Sequence, residues 1–334
     1  MGKNDNKNFL LYFVIVFCCS CAPRVSLPGK AIFEVKILEK KISMPDGTEL
    51  PLKKWLPKGR DPTAIILGIH GFNDYSNAFL ETGVFLAKNY GVALFAYDQR
   101  GFGGAEPRGA WAGLDAYIED AKVIILALKK LYPNLPIFIL GESMGGAIAV
   151  VVMGSSSPSR VNGTILMAPA VWGRKTMPWY QRGALSLGAH LMPWMTLSGK
   201  GLNLKPSDNL EMLKRLSKDP LIIKETRIGT VYGLTNLMDL AADIASDLTG
   251  PTLILYGERD EIIPKKPVLL MVKKLFSKTR VNQRIALYEN GYHMLSRDLH
   301  SSIVLNDIGS WIVNGNKPLP SRADQRNILF LLNK

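Results

Sequence analysis

Cysteine is nearly absent from this chain. Of 334 residues only Cys18, Cys19 and Cys21 are cysteines, all near the amino terminus. The remainder therefore holds no disulfide framework, no cysteine metal site and no cysteine nucleophile. Such a body is at ease in an oxidising compartment. Histidine is almost as scarce, with His70, His190, His293 and His300 making the four. Fixed-period repeats and low-complexity tracts are missing, which excludes solenoids and arrays. No apolar run reaches the roughly twenty residues that a spanning helix requires. Helix-turn-helix and zinc-finger signatures are missing too, so the net charge of +13 does not point to nucleic acid. Its basic residues are spread along the chain, which suits solubility or attraction to anionic lipid headgroups.

What is present begins with a leader. Lys3 and Lys7 precede the apolar stretch Phe9–Phe17, and Cys18-Cys19-Ser20-Cys21-Ala22-Pro23 follows. A basic start, a short apolar run and small residues afterwards are the layout of a secretory signal. Its end resembles a bacterial lipoprotein signal, although Cys18 stands where leucine is usual. Residues 1–20 are then expected to be removed and Cys21 to become the lipidated first residue. That would put the protein in a bacterial cell envelope, anchored to membrane and facing the periplasm; an uncleaved amino-terminal anchor is the alternative.

Strand-like stretches 31–42 and 49–56 flank Met44-Pro45-Asp46-Gly47-Thr48, where proline presets φ and glycine accepts positive φ. An antiparallel hairpin is expected there. Apolar runs at 63–69, 92–97, 136–140, 161–168 and 252–257, with 282–288 after them, read as buried strands. Helical patterns at about 76–88, 115–131, 146–153, 264–277 and 297–313 alternate with them. The alternation breaks from Val171 to Leu248, a helical stretch rich in Trp, Met and Leu. Most of its Trp172, Met177, Trp179, Met192, Trp194 and Met195 are expected to cement it to the core. The architecture is thus a doubly wound, mostly parallel sheet in two parts, 31–170 and 249–315, with an insertion at 171–248. Residues 316–334 form a polar, basic tail, except for Ile328-Leu329-Phe330-Leu331-Leu332, which has no assignable role.

Gly141-Glu142-Ser143-Met144-Gly145 lies between a buried strand and a helix. This is the nucleophile-elbow pattern, in which a tight, strained turn lifts the serine hydroxyl clear of the sheet. A serine hydroxyl needs a base, since it is scarcely ionised at neutral pH. His293, in a glycine-containing loop after the last strand, can reach across the strand ends. His300 falls in the final helix and His190 in the insertion. An acid ending the preceding strand would orient the imidazole. Asp260 is chosen, with Glu258 and Glu261 as neighbouring alternatives. The Met144 amide faces developing negative charge by construction, and the loop His70-Gly71-Phe72-Asn73 supplies a second amide, from Phe72. His70, Asp98 and Arg100 read as residues that shape loops.

Five segments in order carry a family resemblance. They are His70-Gly71-Phe72-Asn73-Asp74-Tyr75-Ser76, Tyr97-Asp98-Gln99-Arg100-Gly101-Phe102-Gly103, Gly141-Glu142-Ser143-Met144-Gly145-Gly146, Tyr256-Gly257-Glu258-Arg259-Asp260 and Gly291-Tyr292-His293. Over roughly residues 31–315 the chain resembles α/β-hydrolase serine enzymes of the monoacylglycerol lipase and lysophospholipase type, the serine aminopeptidase S33 group. The resemblance implies a Ser143–His293–Asp260 triad, oxyanion amides at Phe72 and Met144, and a lid at 171–248. It implies a monoacyl lipid ester as substrate, and no metal or organic cofactor. Asn73 and Glu142 stand where many relatives have glycine and histidine, departures that bear on substrate. An acyltransferase or a general carboxylesterase would use the same triad, a peptidase would need acids placed for a free amine, and an idle envelope lipoprotein would keep only the fold.

Overall fold

The expected hairpin and six buried strands all form in the structure, a computed structural model that describes residues 25–155, 161–278, 283–315 and 317–326. The leader with Cys21, and the apolar run Ile328–Leu332, lie outside the described residues. Strands β1 (Lys36–Ile37), β2 (Lys41–Ser43) and β3 (Glu49–Trp55) open the sheet. The first strand-like stretch is therefore split in two. At the turn between β2 and β3, Asp46 accepts from the Thr48 amide and hydroxyl, and Gly47 takes a φ of 82°.

The parallel part comprises β4 (Ala64–Ile69), β5 (Val92–Tyr97), β6 (Ile137–Glu142), β7 (Gly163–Met167), β10 (Thr252–Gly257) and β11 (Gln283–Tyr288). Order across the nine-stranded sheet is β1-β2-β3-β5-β4-β6-β7-β10-β11, with β3 antiparallel to β5 and parallel pairing beyond it. Each of β4, β5, β6, β7 and β10 is buried throughout, as an unbroken apolar run requires when helices cover both faces.

Helices α1 (Leu80–Tyr90) and α8 (Ser301–Asn314) cover one face, packing Leu86, Val304, Ile308 and Trp311 against Ile66, Leu94 and Leu255. Helices α2 (Leu114–Leu131), α3 (Met144–Gly154) and α7 (Lys265–Lys278) contribute to the core on the other. Part of the tail joins the first face. Leu319 and Ala323 are buried, and Arg284 donates to the Lys317 carbonyl, so residues 317–326 pack against the body.

Between β7 and β10 lie α4 (Trp179–Leu191), α5 (Leu210–Lys218) and α6 (Ile228–Ile244). A short pair, β8 (Thr196–Ser198) with β9 (Glu225–Arg227), adds a strand element that the helical reading lacked. Strand order reverses between β4 and β6. Segments leaving the carboxyl ends of these two neighbours diverge, and the crevice they leave is where doubly wound sheets take ligands. The 70–74 loop follows β4, and Ser143 follows β6.

Candidate active site

Ser143 has φ 53° and ψ −112°, an uncommon conformation for a residue with a Cβ. Two close approaches create this turn. A Cβ on Gly141 would lie 2.3 Å from the Gly145 carbonyl oxygen, and one on Gly145 would lie 1.9 Å from that of Ile69. The serine is locked on both sides by backbone bonds, its amide to Met167 O at 2.9 Å and its carbonyl accepting from Ala170 N at 2.9 Å. The Met144 amide opens α3 and has no intrahelical acceptor.

His70 is pinned as expected. Its Nε2 accepts from the Gln99 amide at 3.0 Å, which leaves Nδ1–H to donate to the Gly71 carbonyl at 2.8 Å. Burial pushes this imidazole down and keeps it neutral, against the pull of nearby acids. Because the peptide is planar and trans, a fixed Gly71 carbonyl aims the Phe72 N–H the opposite way. A Cβ on Gly71 would sit 3.9 Å from Ser143 Oγ, so this peptide runs beside the nucleophile candidate.

Asp260 and His293 meet across the ends of β10 and β11. Asp260 Oδ2 lies 2.8 Å from His293 Nδ1, and both residues are buried. Asp260 Oδ1 accepts from the Ile262 and Ile263 amides at 2.8 and 2.9 Å, which fixes the carboxylate plane. Neither alternative acid is free to replace it. Glu258 pairs with Arg326 at 2.8 Å, and Glu261 accepts from the Lys205 amide at 2.7 Å. With Nδ1–H given to Asp260, Nε2 keeps a lone pair that can take a proton.

The other two histidines stand apart. His190 is exposed and bonds Ser186 O within its own helix, while His300 is exposed at the start of α8. Asp98 bonds the Ser76 and Gly104 amides at 2.9 Å each. Arg100 forks onto Asp120 and Asp46, tying the hairpin turn to α2. Although burial works against it, hydrogen bonds from Arg100 and Thr48 hold the Asp46 carboxyl at about 2. All these residues shape loops.

Glu142 and Asn73, the two departures from the relatives' pattern, both have framework partners. Glu142 is buried and accepts from Arg297 at 2.8 Å. Asn73 takes a φ of 63°, a conformation glycine adopts freely and asparagine tolerates, and its Nδ2 donates to Thr226 Oγ1 at 2.7 Å. Its carbonyl also accepts from Ile223 at 3.1 Å, so the 70–74 loop holds the insertion.

Residues 205–209 of the insertion are laced to the histidine loop in the same way. Pro206 O accepts from the Met294 amide, and Asn209 Nδ2 donates to Arg297 O. Ser207 Oγ donates to Asp298 Oδ1 at 2.6 Å, and Oδ2 of the same acid accepts from the Tyr292 amide at 2.8 Å. Burial pushes the Asp298 carboxyl up to about 6 despite those two bonds. Arg297, Asp298 and Ser207 were missed in the sequence because nothing in their local spacing marks a contact made across the fold.

The six Trp and Met residues expected mostly to cement the insertion are mostly exposed instead. Trp172 packs on the core, and Met177 is partly buried. Trp179, Met192, Trp194 and Met195 are exposed, with Trp179 at 77% and Trp194 at 62%. Leu187, Leu191, Leu197 and Leu202 extend this exposed surface. Among the described residues no helix is long and apolar enough to cross a membrane.

Comparison with known proteins agrees with this fold. The family model for serine aminopeptidase, S33, matches residues 60–300. Monoglyceride lipase of Mus musculus is 29% identical over 273 residues, covering 80% of this chain and 88% of the relative. Monoacylglycerol lipase of Mycolicibacterium smegmatis is 24% identical over 273 residues, covering 80% and 94%. Among solved structures, a soluble variant of monoglyceride lipase from Saccharomyces cerevisiae, in complex with a substrate analog, superposes with a TM-score of 0.68. It is 20% identical, and the match covers 86% of this chain and 97% of that one. A monoacylglycerol lipase from Paleococcus ferrophilus gives 0.64 at 22% identity, covering 79% and 98%. With five motifs, a switch-point serine and a family match over most of its length, the chain belongs to the serine aminopeptidase S33 family, hydrolases of the α/β-hydrolase fold.

Proposed function

We propose that this protein is a lipid-anchored carboxylic ester hydrolase acting on monoacyl lipids, monoacylglycerol or lysophospholipid. The observation that carries the chemistry is the buried His293–Asp260 bond on the same sheet edge as the strained Ser143. Ser143 Oγ attacks the ester carbonyl while His293 Nε2 takes its proton. Asp260 orients the imidazole and stabilises its charged form. The Phe72 and Met144 amides receive the oxyanion, the alcohol leaves with the proton from His293, and water activated by the same histidine releases the acyl group.

The relatives' names support a monoacyl ester as substrate. So does the exposed Trp, Met and Leu surface of the insertion, since large apolar patches on a protein mark surfaces that meet lipid or other partners. If the acyl chain is buried on binding, each added methylene contributes at most about 0.8 kcal/mol, up to about fourfold in kcat/KM. Activity is expected to climb from acetyl esters to medium and long monoacyl chains, then level off. Vesicles containing anionic lipid should raise it further, an effect that added salt removes because the attraction is screened. A maximum at acetyl or butyryl esters, indifferent to lipid charge, would leave a general carboxylesterase instead.

Anchoring is proposed at Cys21, four positions before the first described residue, Val25. Ser26 N bonds Trp111 O at 2.8 Å, and Val25 and Trp194 line the same 660 Å³ cavity. A tether leaving from here would hold the insertion's apolar surface near the membrane. Cys21→Ser is expected to abolish palmitate incorporation and move the protein from the membrane to the soluble fraction. Incorporation that survived the substitution would place the anchor elsewhere.

A further inference from the structure

Arg297 lies four residues beyond His293, and its side chain is buried. Nη1 donates to Asp74 Oδ2 at 2.7 Å and Nη2 to Glu142 Oε1 at 2.8 Å. Asp74 closes the loop that carries the Phe72 amide, and Glu142 immediately precedes Ser143. We propose that Arg297 is a positioning residue for the reaction, whose planar fork holds the His293 loop in register with the elbow and the Phe72 loop. The inference rests on the Ser143–His293–Asp260 reading.

Each of the three segments joined also has anchors of its own. Glu142 ends β6 in register with Met167 of β7, and the 70–74 loop leaves β4 held by His70. The histidine loop is bonded to the end of β10 through Gly291–Arg259 and His293–Asp260, and to itself and the insertion through Tyr292–Asp298 and Met294–Pro206. Among the described residues, Arg297 carries the side-chain hydrogen bonds from that loop to the elbow and to the Phe72 loop, and so ties the placement of His293 to both.

Stability alone is a poor reason for such a cluster. Burying one cation with two carboxylates costs so much desolvation that apolar replacements are often neutral or better. What a guanidinium supplies is direction, because its donors leave in one plane at fixed angles, whereas a lysine is a point charge. Asp74 is itself oriented, with Oδ1 accepting from the Tyr75 amide at 2.8 Å. Both carboxylates therefore present one oxygen each to a rigid fork.

The test compares Arg297→Lys with the paired, charge-relieved Arg297→Met/Glu142→Gln, each counted by titration with a fluorophosphonate. Turnover per titrated site on a monoacyl ester is expected to fall about tenfold in Arg297→Lys and about 100-fold in the double variant, the scale of a displacement near 1 Å. KM should stay within about threefold of wild type, because the insertion still covers the substrate. A purely structural role predicts the opposite split, with fewer titratable sites but unchanged turnover at each, and that result would overturn the inference. Arg297→Lys guards against misfolding of the double variant, since it keeps the charge and loses only the fork. Turnover that survived Ser143→Ala would overturn the triad reading and this inference with it. Wild-type turnover per site in the double variant would overturn this inference alone.

Discussion

Alanine at Ser143 or His293 is expected to lower kcat on an activated ester by about a million-fold, and alanine at Asp260 by about ten-thousand-fold. The three act as a unit, so Ser143→Ala/His293→Ala should be no slower than either single variant. Asp260 has no understudy. Glu258 would have to abandon Arg326, and Glu261 is turned toward the Lys205 amide. The imidazole would then lose the partner that fixes its Nδ1 proton and leaves Nε2 free as base. Steady-state rates, corrected by fluorophosphonate titration for the fraction of competent protein, measure each loss. A near-normal Asp260→Ala beside an inactive Glu258→Ala or Glu261→Ala would reassign the acid.

Much of this site could be read from the chain because its constraints are local. Gly141 and Gly145 stand where a Cβ would strike backbone, so their spacing about Ser143 records a steric requirement. The parallel strands are equally legible, since a strand covered on both faces must be apolar along its whole length. Asp260 is chosen by position over Glu258 and Glu261, whereas the partners that occupy those two acids, Arg326 and the Lys205 amide, meet them across the fold and are not near 258–261 in sequence.

The same distinction explains the errors. A helix from 297 fits the periodicity, yet α8 starts at Ser301. Arg297 and Asp298 are committed to Asp74, Glu142, Ser207 and the Tyr292 amide, and residues 295–300 form turns ahead of the helix. In the insertion, composition could not separate core from surface. Trp172 and Trp179 are the same residue type seven positions apart; one packs on the core and the other is 77% exposed. The tail is a related case. Leu319 and Ala323 are isolated apolar residues among polar ones, too sparse to signal burial, yet both close the core beside α8.

Gly145→Ala is expected to cost nearly all labelling of Ser143 by fluorophosphonate, with a large fall in thermal stability, though it adds a single methyl group. The new Cβ would lie 1.9 Å from Ile69 O, 2.5 Å from Ile69 C and 2.9 Å from His70 O. Every one of these is backbone, so no rotamer change can relieve the overlap. Ile69 ends β4 in register with Gly141 of β6, and retreat would break the ladder at the strand pair that forms the crevice. Overpacking a well-filled interior costs about 1–3 kcal/mol when side chains can shift, and here they cannot. The alternative is for the elbow to move by an ångström or more, which displaces Ser143 from His293 and the Phe72 amide at a cost of about 100-fold or greater. Gly183→Ala is the matched control, since a Cβ there meets nothing within 4 Å and the residue lies inside α4. Alanine suits a helix interior better than glycine by about 1 kcal/mol, so this variant should hold or gain stability and label normally. Wild-type melting and wild-type labelling in Gly145→Ala would show that the elbow is not built on this contact.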